Sequence, residues 1–109
     1  MTTEHEKAER LTTEIQALEQ SGLAKEALLR TGELAITLER EFDGSDRVVP
    51  QEVTGLEAVA TYLKARRPDE TIRMGTKVLD TIPDDSEIRD DVFSLMGRAQ
   101  EQIERSLQS

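Results

Sequence analysis

Asp69-Glu-Thr-Ile-Arg-Met-Gly-Thr-Lys-Val-Leu-Asp-Thr-Ile-Pro-Asp-Asp85 decides the fold. Ile72, Gly75, Val78, Leu79 and Ile82 recur at spacings that place side chains on one face of an α-helix. The run stops at Pro83, which has no amide to donate and clashes with a preceding helical turn. It is entered from a second amphipathic stretch ending in Leu63-Lys-Ala-Arg-Arg-Pro68. Pro68 stands where a helix can begin, because its missing amide would be unpaired there anyway. Two helices joined by so short a turn pack antiparallel, as a hairpin. Hairpins of this kind stack in repeat proteins, which bind other proteins more often than they carry out chemistry.

Outward from this hairpin, three more helices are predicted. The first runs from about Thr3 to Ser21, opened by a Thr3–Glu6 capping box and striped by Ala8, Leu11, Ile15 and Leu18. Ser21-Gly22 closes it, glycine accepting the left-handed conformation of a helix end. The second helix, Leu23 to Phe42, places Leu23, Ala27, Leu34, Leu38 and Phe42 on one face, widened by Leu28 and Ala35. Asp43-Gly-Ser-Asp46 reads as loop and Arg47-Val-Val-Pro50 as extended chain, since a residue before proline avoids the helical region. The third helix, from Gln51 or Thr54 to Arg66, carries Leu56, Val59, Ala60 and Leu63, with Tyr62 beside them and Thr54–Glu57 as a second capping box. Asp84 and Glu87 offer a third box. The helix after it reaches about Leu107, striped by Ile88, Val92, Leu95, Met96, Ala99 and Ile103. Nothing alternates with a period of two, so no strand is expected.

The two hairpins match one another at an offset of 44 residues, which pairs Ile15 with Val59, Leu18 with Tyr62, Leu34 with Val78 and Leu38 with Ile82. An offset of 43 aligns Arg30-Thr-Gly32 with Arg73-Met-Gly75 but breaks the hydrophobic pattern. Gln20-Ser-Gly-Leu-Ala-Lys-Glu-Ala27 resembles the turn of the tetratricopeptide repeat family, with a glycine between helices and a small alanine early in the second. Val78-Leu-Asp-Thr-Ile-Pro-Asp-Asp85 resembles that family's helix end. The likeness covers roughly residues 12–85. The first hairpin departs from it by lacking the closing proline, and the second by lacking the turn glycine. Thr31 and Gly75 stand where the family has an aromatic. The resemblance implies two stacked antiparallel hairpins (about 3–42 and 51–83), a linker over 43–50 and a capping helix over about 85–107, as a fragment of a right-handed superhelix. It also implies a role in holding a polypeptide.

Composition narrows the role further. With 109 residues the chain is expected to be one domain, burying roughly two thirds of its unfolded surface. Hydrophobic residues make up 36% and aromatics only 3%, so the core rests on aliphatic side chains. No cysteine is present, which excludes disulfides, thiolate nucleophiles and cysteine zinc sites. The polar, acidic Met1-Thr-Thr-Glu-His-Glu start is unlike a signal peptide, and no apolar run spans a bilayer, so the cytoplasm is the expected compartment. A net charge of −9 disfavours direct nucleic-acid binding and docking on anionic lipid. The acidity reads as solvated surface, as the mark of a halophilic host (four of fourteen basic residues are Lys), or as a face for a basic partner.

Candidate residues follow from these patterns. Arg66, Arg67 and Arg73 form the one local basic cluster and, with Tyr62, are candidates for holding an acidic peptide. The competing reading is a helix C-terminus neutralised by cations. Phe93 and Met96 on the last helix are candidates for a partner surface, including a second copy of the chain, because no following helix covers that face. Gly32, Gly75 and Gly97 inside helices point to close helix crossings. His5 is expected at the surface, and Asp84, Asp85, Asp90 and Asp91 complement a helix N-terminus without the spacing of a calcium loop. No catalytic, cofactor or metal residues are expected. The expected role is a non-enzymatic adaptor or chaperone-like module. The alternative is an acidic regulator or inhibitor of a basic enzyme or nucleic-acid-binding protein.

Overall fold

The computed structural model describes residues 3–44 and 50–108. They form five α-helices: α1 (Glu4–Gln20), α2 (Ala24–Asp43), α3 (Gln51–Lys64), α4 (Pro68–Thr81) and α5 (Arg89–Gln108). No strand occurs among the described residues. Most of the predicted linker, 45–49, lies outside them.

The helix ends show which local signals prevail. Thr3 caps α1, its hydroxyl accepting the Glu6 amide at 3.1 Å. Pro68 stands at the first position of α4, as predicted. The other two capping boxes do not form. α3 starts at Gln51, the earlier of its two predicted starts, so Thr54 sits inside the helix and its hydroxyl donates to the Pro50 carbonyl at 3.3 Å. After Pro83, the Ser86 amide turns back to the Pro83 carbonyl at 3.1 Å and the Ser86 hydroxyl donates to Glu52 at 2.7 Å. That turn delays α5 to Arg89, whose guanidinium donates to the Leu79 carbonyl near the end of α4 at 3.1 Å.

The 44-residue offset reappears in the two hairpin turns. Leu23 donates its amide to the Leu18 carbonyl at 2.9 Å and Gly22 to Glu19 at 3.1 Å. Arg67 donates to Tyr62 and Arg66 to Leu63, both at 3.1 Å. Both are the paired closure that ends a helix with one left-handed residue. That residue is Gly22 (φ 77°) in the first turn and Arg66 (φ 59°) in the second. A side chain in this conformation costs roughly 1–2 kcal/mol. Arg66→Gly is therefore expected to raise stability by about 1 kcal/mol, read as a rise of a few degrees in thermal midpoint.

Consecutive helices pack on each other, and α3 also packs on α5. This zigzag sets α1, α3 and α5 in one layer and α2 and α4 in the other, in a molecule whose least extent is 17 Å. Glu39 and Asp43 of α2 bond Arg73 and Lys77 of α4, in the same order along both helices. The two second helices are thus parallel, as stacking of antiparallel hairpins requires. The core includes Ala35, Leu38, Phe42, Ala58, Val59, Tyr62, Met74, Val78, Ile82 and Val92, with Ala8 at its edge. Thr37, Thr54, Thr61 and Thr71 are buried among them, and each hydroxyl donates to the carbonyl four residues back, so none is left unpaired.

Of the three predicted crossing glycines, only Gly75 marks one. A Cβ there would lie 2.6 Å from Met96 Cγ and Sδ on α5. At Gly32 the neighbour is the Arg67 guanidinium, and at Gly97 nothing lies within 4 Å. Gly97→Ala is accordingly expected to stabilise the chain by about 1 kcal/mol through helix preference alone, measurable by denaturant titration.

Two predicted helix faces also differ. Leu23 and Leu28, read as core on α2, are exposed, because α1 covers only part of that helix. Ile15 and Leu18 of α1 are half-buried, leaving Ala8 and Leu11 as its buried residues.

Candidate functional site

α1 packs on α2 but makes no comparable contact with α3, whereas α3 and α5 do pack together. The gap leaves an open groove of about 470 Å³ between α1 and α3, with α2 as its floor. Ala8, Leu34, Leu38 and Ala60 line it with apolar surface. Thr12, Thr54 and Thr61 also line it, their hydroxyls donating to carbonyls of their own helices at 2.9, 3.3 and 2.6 Å. The groove therefore offers apolar contact with few competing donors.

One end of the groove is acidic. Glu41 is only 5% exposed, and its Oε1 lies 3.1 Å from His5 Nδ1. The other ring nitrogen, Nε2, lies 3.2 Å from Glu9 Oε1. Glu57 lines the same groove, and its carboxyl is pushed up by burial and then by the negative charge of Glu41, with His5 opposing. Lys64 is seven positions beyond Glu57 on α3, about 10 Å further along the helix.

The opposite layer carries a second polar cluster, and it is satisfied internally. Glu39 accepts the Tyr62 hydroxyl at 2.6 Å, Arg73 Nη1 at 2.8 Å, Arg73 Nη2 at 2.7 Å and Lys77 Nζ at 3.0 Å. Glu70 accepts Arg73 at 2.7 Å and Asp43 accepts Lys77 at 2.6 Å. The Arg73 bonds, outweighing burial, hold the Glu39 carboxyl at about 2, with Tyr62 and Lys77 adding to the effect. Burial first, then the hydrogen bond to Glu39 and its negative charge, push the Tyr62 hydroxyl well above its usual range.

The candidates named from sequence fall in three places. Tyr62 and Arg73 come together, the guanidinium 5.8 Å from the ring centroid, and both are engaged by Glu39. Tyr62 is only 1% exposed, so it presents no surface. Arg66 and Arg67 stand at the α3–α4 turn: Arg67 lies along α2 at Gly32, and Arg66 borders a shallow depression shared with Arg105 of α5. On α5, Met96 is half-buried against Gly75, whereas Phe93 is exposed. The α5 stripe expected to be uncovered is in fact packed, with Val92 and Ala99 fully buried.

Sequence reading passed over Glu39 and Lys77, although Glu39/Asp43 and Arg73/Lys77 are matched acidic and basic pairs at helical spacing. It also left His5 as an isolated surface residue, and nothing local links it to Glu41, 36 positions away. Comparison with protein-family models, curated proteins and solved structures returns no match.

Proposed function

We propose that this chain is a small non-enzymatic, cytoplasmic interaction module, adaptor or chaperone-like, that holds another polypeptide in the α1–α3 groove. The observation that carries this reading is the groove itself: an apolar floor left open between two helix walls, where the equivalent space between α3 and α5 is filled. Its open form and aliphatic lining suit an extended or helical segment better than a small polar substrate. The tetratricopeptide resemblance points the same way. No helix among the described residues is long and apolar enough to cross a membrane.

The test compares proteins retained from native cell extract by the wild-type chain and by Ala60→Trp, which fills the groove. A partner retained by the first and lost by the second is expected. A partner retained equally by both would contradict the reading.

The alternative role, an acidic regulator of a basic enzyme or nucleic-acid-binding protein, is favoured by Glu9, Glu41 and Glu57 gathering at one end of the groove. The two readings differ in salt response. Contact with the apolar floor persists at high ionic strength, whereas mimicry by acidic surface weakens steeply. Self-association through α5 is left with Phe93 and Leu107 as exposed large apolar side chains, about 21 Å apart along the helix.

A further inference from the structure

We propose that the segment held in the α1–α3 groove is an amphipathic α-helix of the partner, with an apolar face on the floor and basic residues along its rims. This rests on the groove reading and names the conformation and charge of the occupant. The groove continues past Lys64 into a second opening of about 350 Å³, bounded by Ile15 and Glu19 of α1 and by Ala24, Ala27 and Thr31 of α2. From Glu41 to Ala24 the floor follows α2 for about 26 Å, the length of nearly five helical turns.

Hydrogen bonding decides the conformation. The lining is formed by helices, whose amides and carbonyls between the ends are already paired along their own axes. The hydroxyls are committed too: Thr12, Thr31, Thr54 and Thr61 each donate to the carbonyl four residues back, at 2.9, 2.7, 3.3 and 2.6 Å. Among the described residues that line the groove between its ends, only Lys64 has a hydrogen left to donate. An extended chain pressed onto this floor would leave its carbonyls unpaired and away from water, a state that backbones avoid. A helix satisfies its own backbone and brings only side chains to the walls. Ala8, Ala24, Ala27 and Ala60 keep the lining low, so a guest helix can approach at the short end of the usual axial separation of roughly 8–10 Å.

Charge complementarity sets the rims. Glu9 and Glu19 of α1, Glu41 of α2 and Glu57 of α3 line the two openings, against Lys64 as the one lysine or arginine. These carboxylates lie on both walls and the floor, with Glu19 at the far end, so their field favours a positively charged guest along its length. A second copy of this chain, with its net charge of −9, would meet that field with like charge.

The test selects random peptides of about 18 residues, displayed on phage, against the wild-type chain. Counter-selection uses Ala60→Trp and, on the opposite wall, Thr12→Trp. Groove-dependent binders are expected to repeat aliphatic residues at helical spacing, to carry lysine or arginine beside them, and to gain helical circular dichroism on binding. Proline at a central, solvent-facing position of such a peptide should weaken binding more than about tenfold, and alanine there less than about twofold. Glu9→Lys combined with Glu57→Lys, both exposed side chains, should weaken the peptide about tenfold, while Asp80→Lys on α4 should leave it within about twofold. Thermal melting checks that each variant is folded, and Glu19→Lys at the far end gives an independent loss of about threefold. Groove-dependent binders that tolerate proline and gain no helix would overturn the helical occupant. Equal binding to the charge-reversed and wild-type chains would overturn its basic rims, and either result leaves the groove reading standing. Absence of any groove-dependent binder would overturn both.

Discussion

Gly55→Leu is expected to destabilise the chain by about 3–4 kcal/mol, a large part of the 5–15 kcal/mol typical of a domain. Gly55 lies on α3 where α2 and α4 converge. A Cβ there would stand 2.9 Å from Phe42 Cε2, 3.1 Å from Phe42 Cδ2 and 3.1 Å from Val78 Cγ1. Phe42 and Val78 are 1% and 0% exposed, so neither has solvent to move into. The first carbon already fails to fit, and leucine adds three more. Gly75 differs because its neighbour, Met96, is a flexible, half-buried side chain, so Gly75→Ala should cost less than Gly55→Ala despite the shorter 2.6 Å approach. Denaturant titration of the set Gly55→Leu, Gly55→Ala, Gly75→Ala and Gly97→Ala should rank in that order from least to most stable. A stable Gly55→Leu would mean that α2 and α4 do not meet over α3.

Glu39→Ala is expected to cost about 2–3 kcal/mol, lowering the thermal midpoint by roughly 10 °C or more. The substitution leaves the Tyr62 hydroxyl, which donates to Glu39 at 2.6 Å, without its acceptor. It also removes the bonds from Arg73 and Lys77 of α4 to Glu39, leaving the Lys77–Asp43 pair to join α4 to α2. Glu39→Gln keeps an acceptor for Tyr62 and should cost less. Low pH should reproduce part of the loss. The Glu39 carboxyl is depressed from an ordinary 4.5 to about 2, so its contribution is complete above pH 4.5 and is lost as pH falls toward 2. The full shift would correspond to about 3.4 kcal/mol, which solvent screening of this partly exposed cluster reduces to about 1–2 kcal/mol. Acid titration of stability should therefore be shallower for Glu39→Gln than for wild type between pH 4.5 and 2. Parallel titrations would show that the Glu39 carboxylate does not hold α2 to α4.

The hairpins were legible because their signals are local. Periodicity set the helices, Pro68 and Gly22 set two of the ends, and the 44-residue offset recurs in the turn hydrogen bonds, where Arg66 takes the role of Gly22. α3 starts at Gln51, the earlier of its two predicted starts, and only α5 starts later than expected, yet the unformed capping boxes at both helices share one cause. Thr54–Glu57 and Asp84–Glu87 both satisfy the capping pattern, but a helix begins where its chain is first free to turn. Pro50 permits that a turn earlier, and the Pro83–Ser86 turn defers it. The groove could not be read locally. It exists because α1 leans on α2 without reaching α3, and the stripe Ala8, Leu11, Ile15, Leu18 looks the same whether one neighbour covers it or two. Glu41 likewise reads as one surface glutamate among many until the fold brings His5 to it from the first turn of α1.

Photo-crosslinking from single positions in native cell extract locates the surface that holds the partner. A photoreactive amino acid replaces Lys64, which lines the groove, or Asp80 or Glu101, which are exposed on α4 and α5. One defined protein adduct is expected from Lys64, abolished by Ala60→Trp, and none from the other two positions. The same adduct from Asp80 or Glu101, or its survival in Ala60→Trp, would contradict the groove as the place where this chain holds its partner.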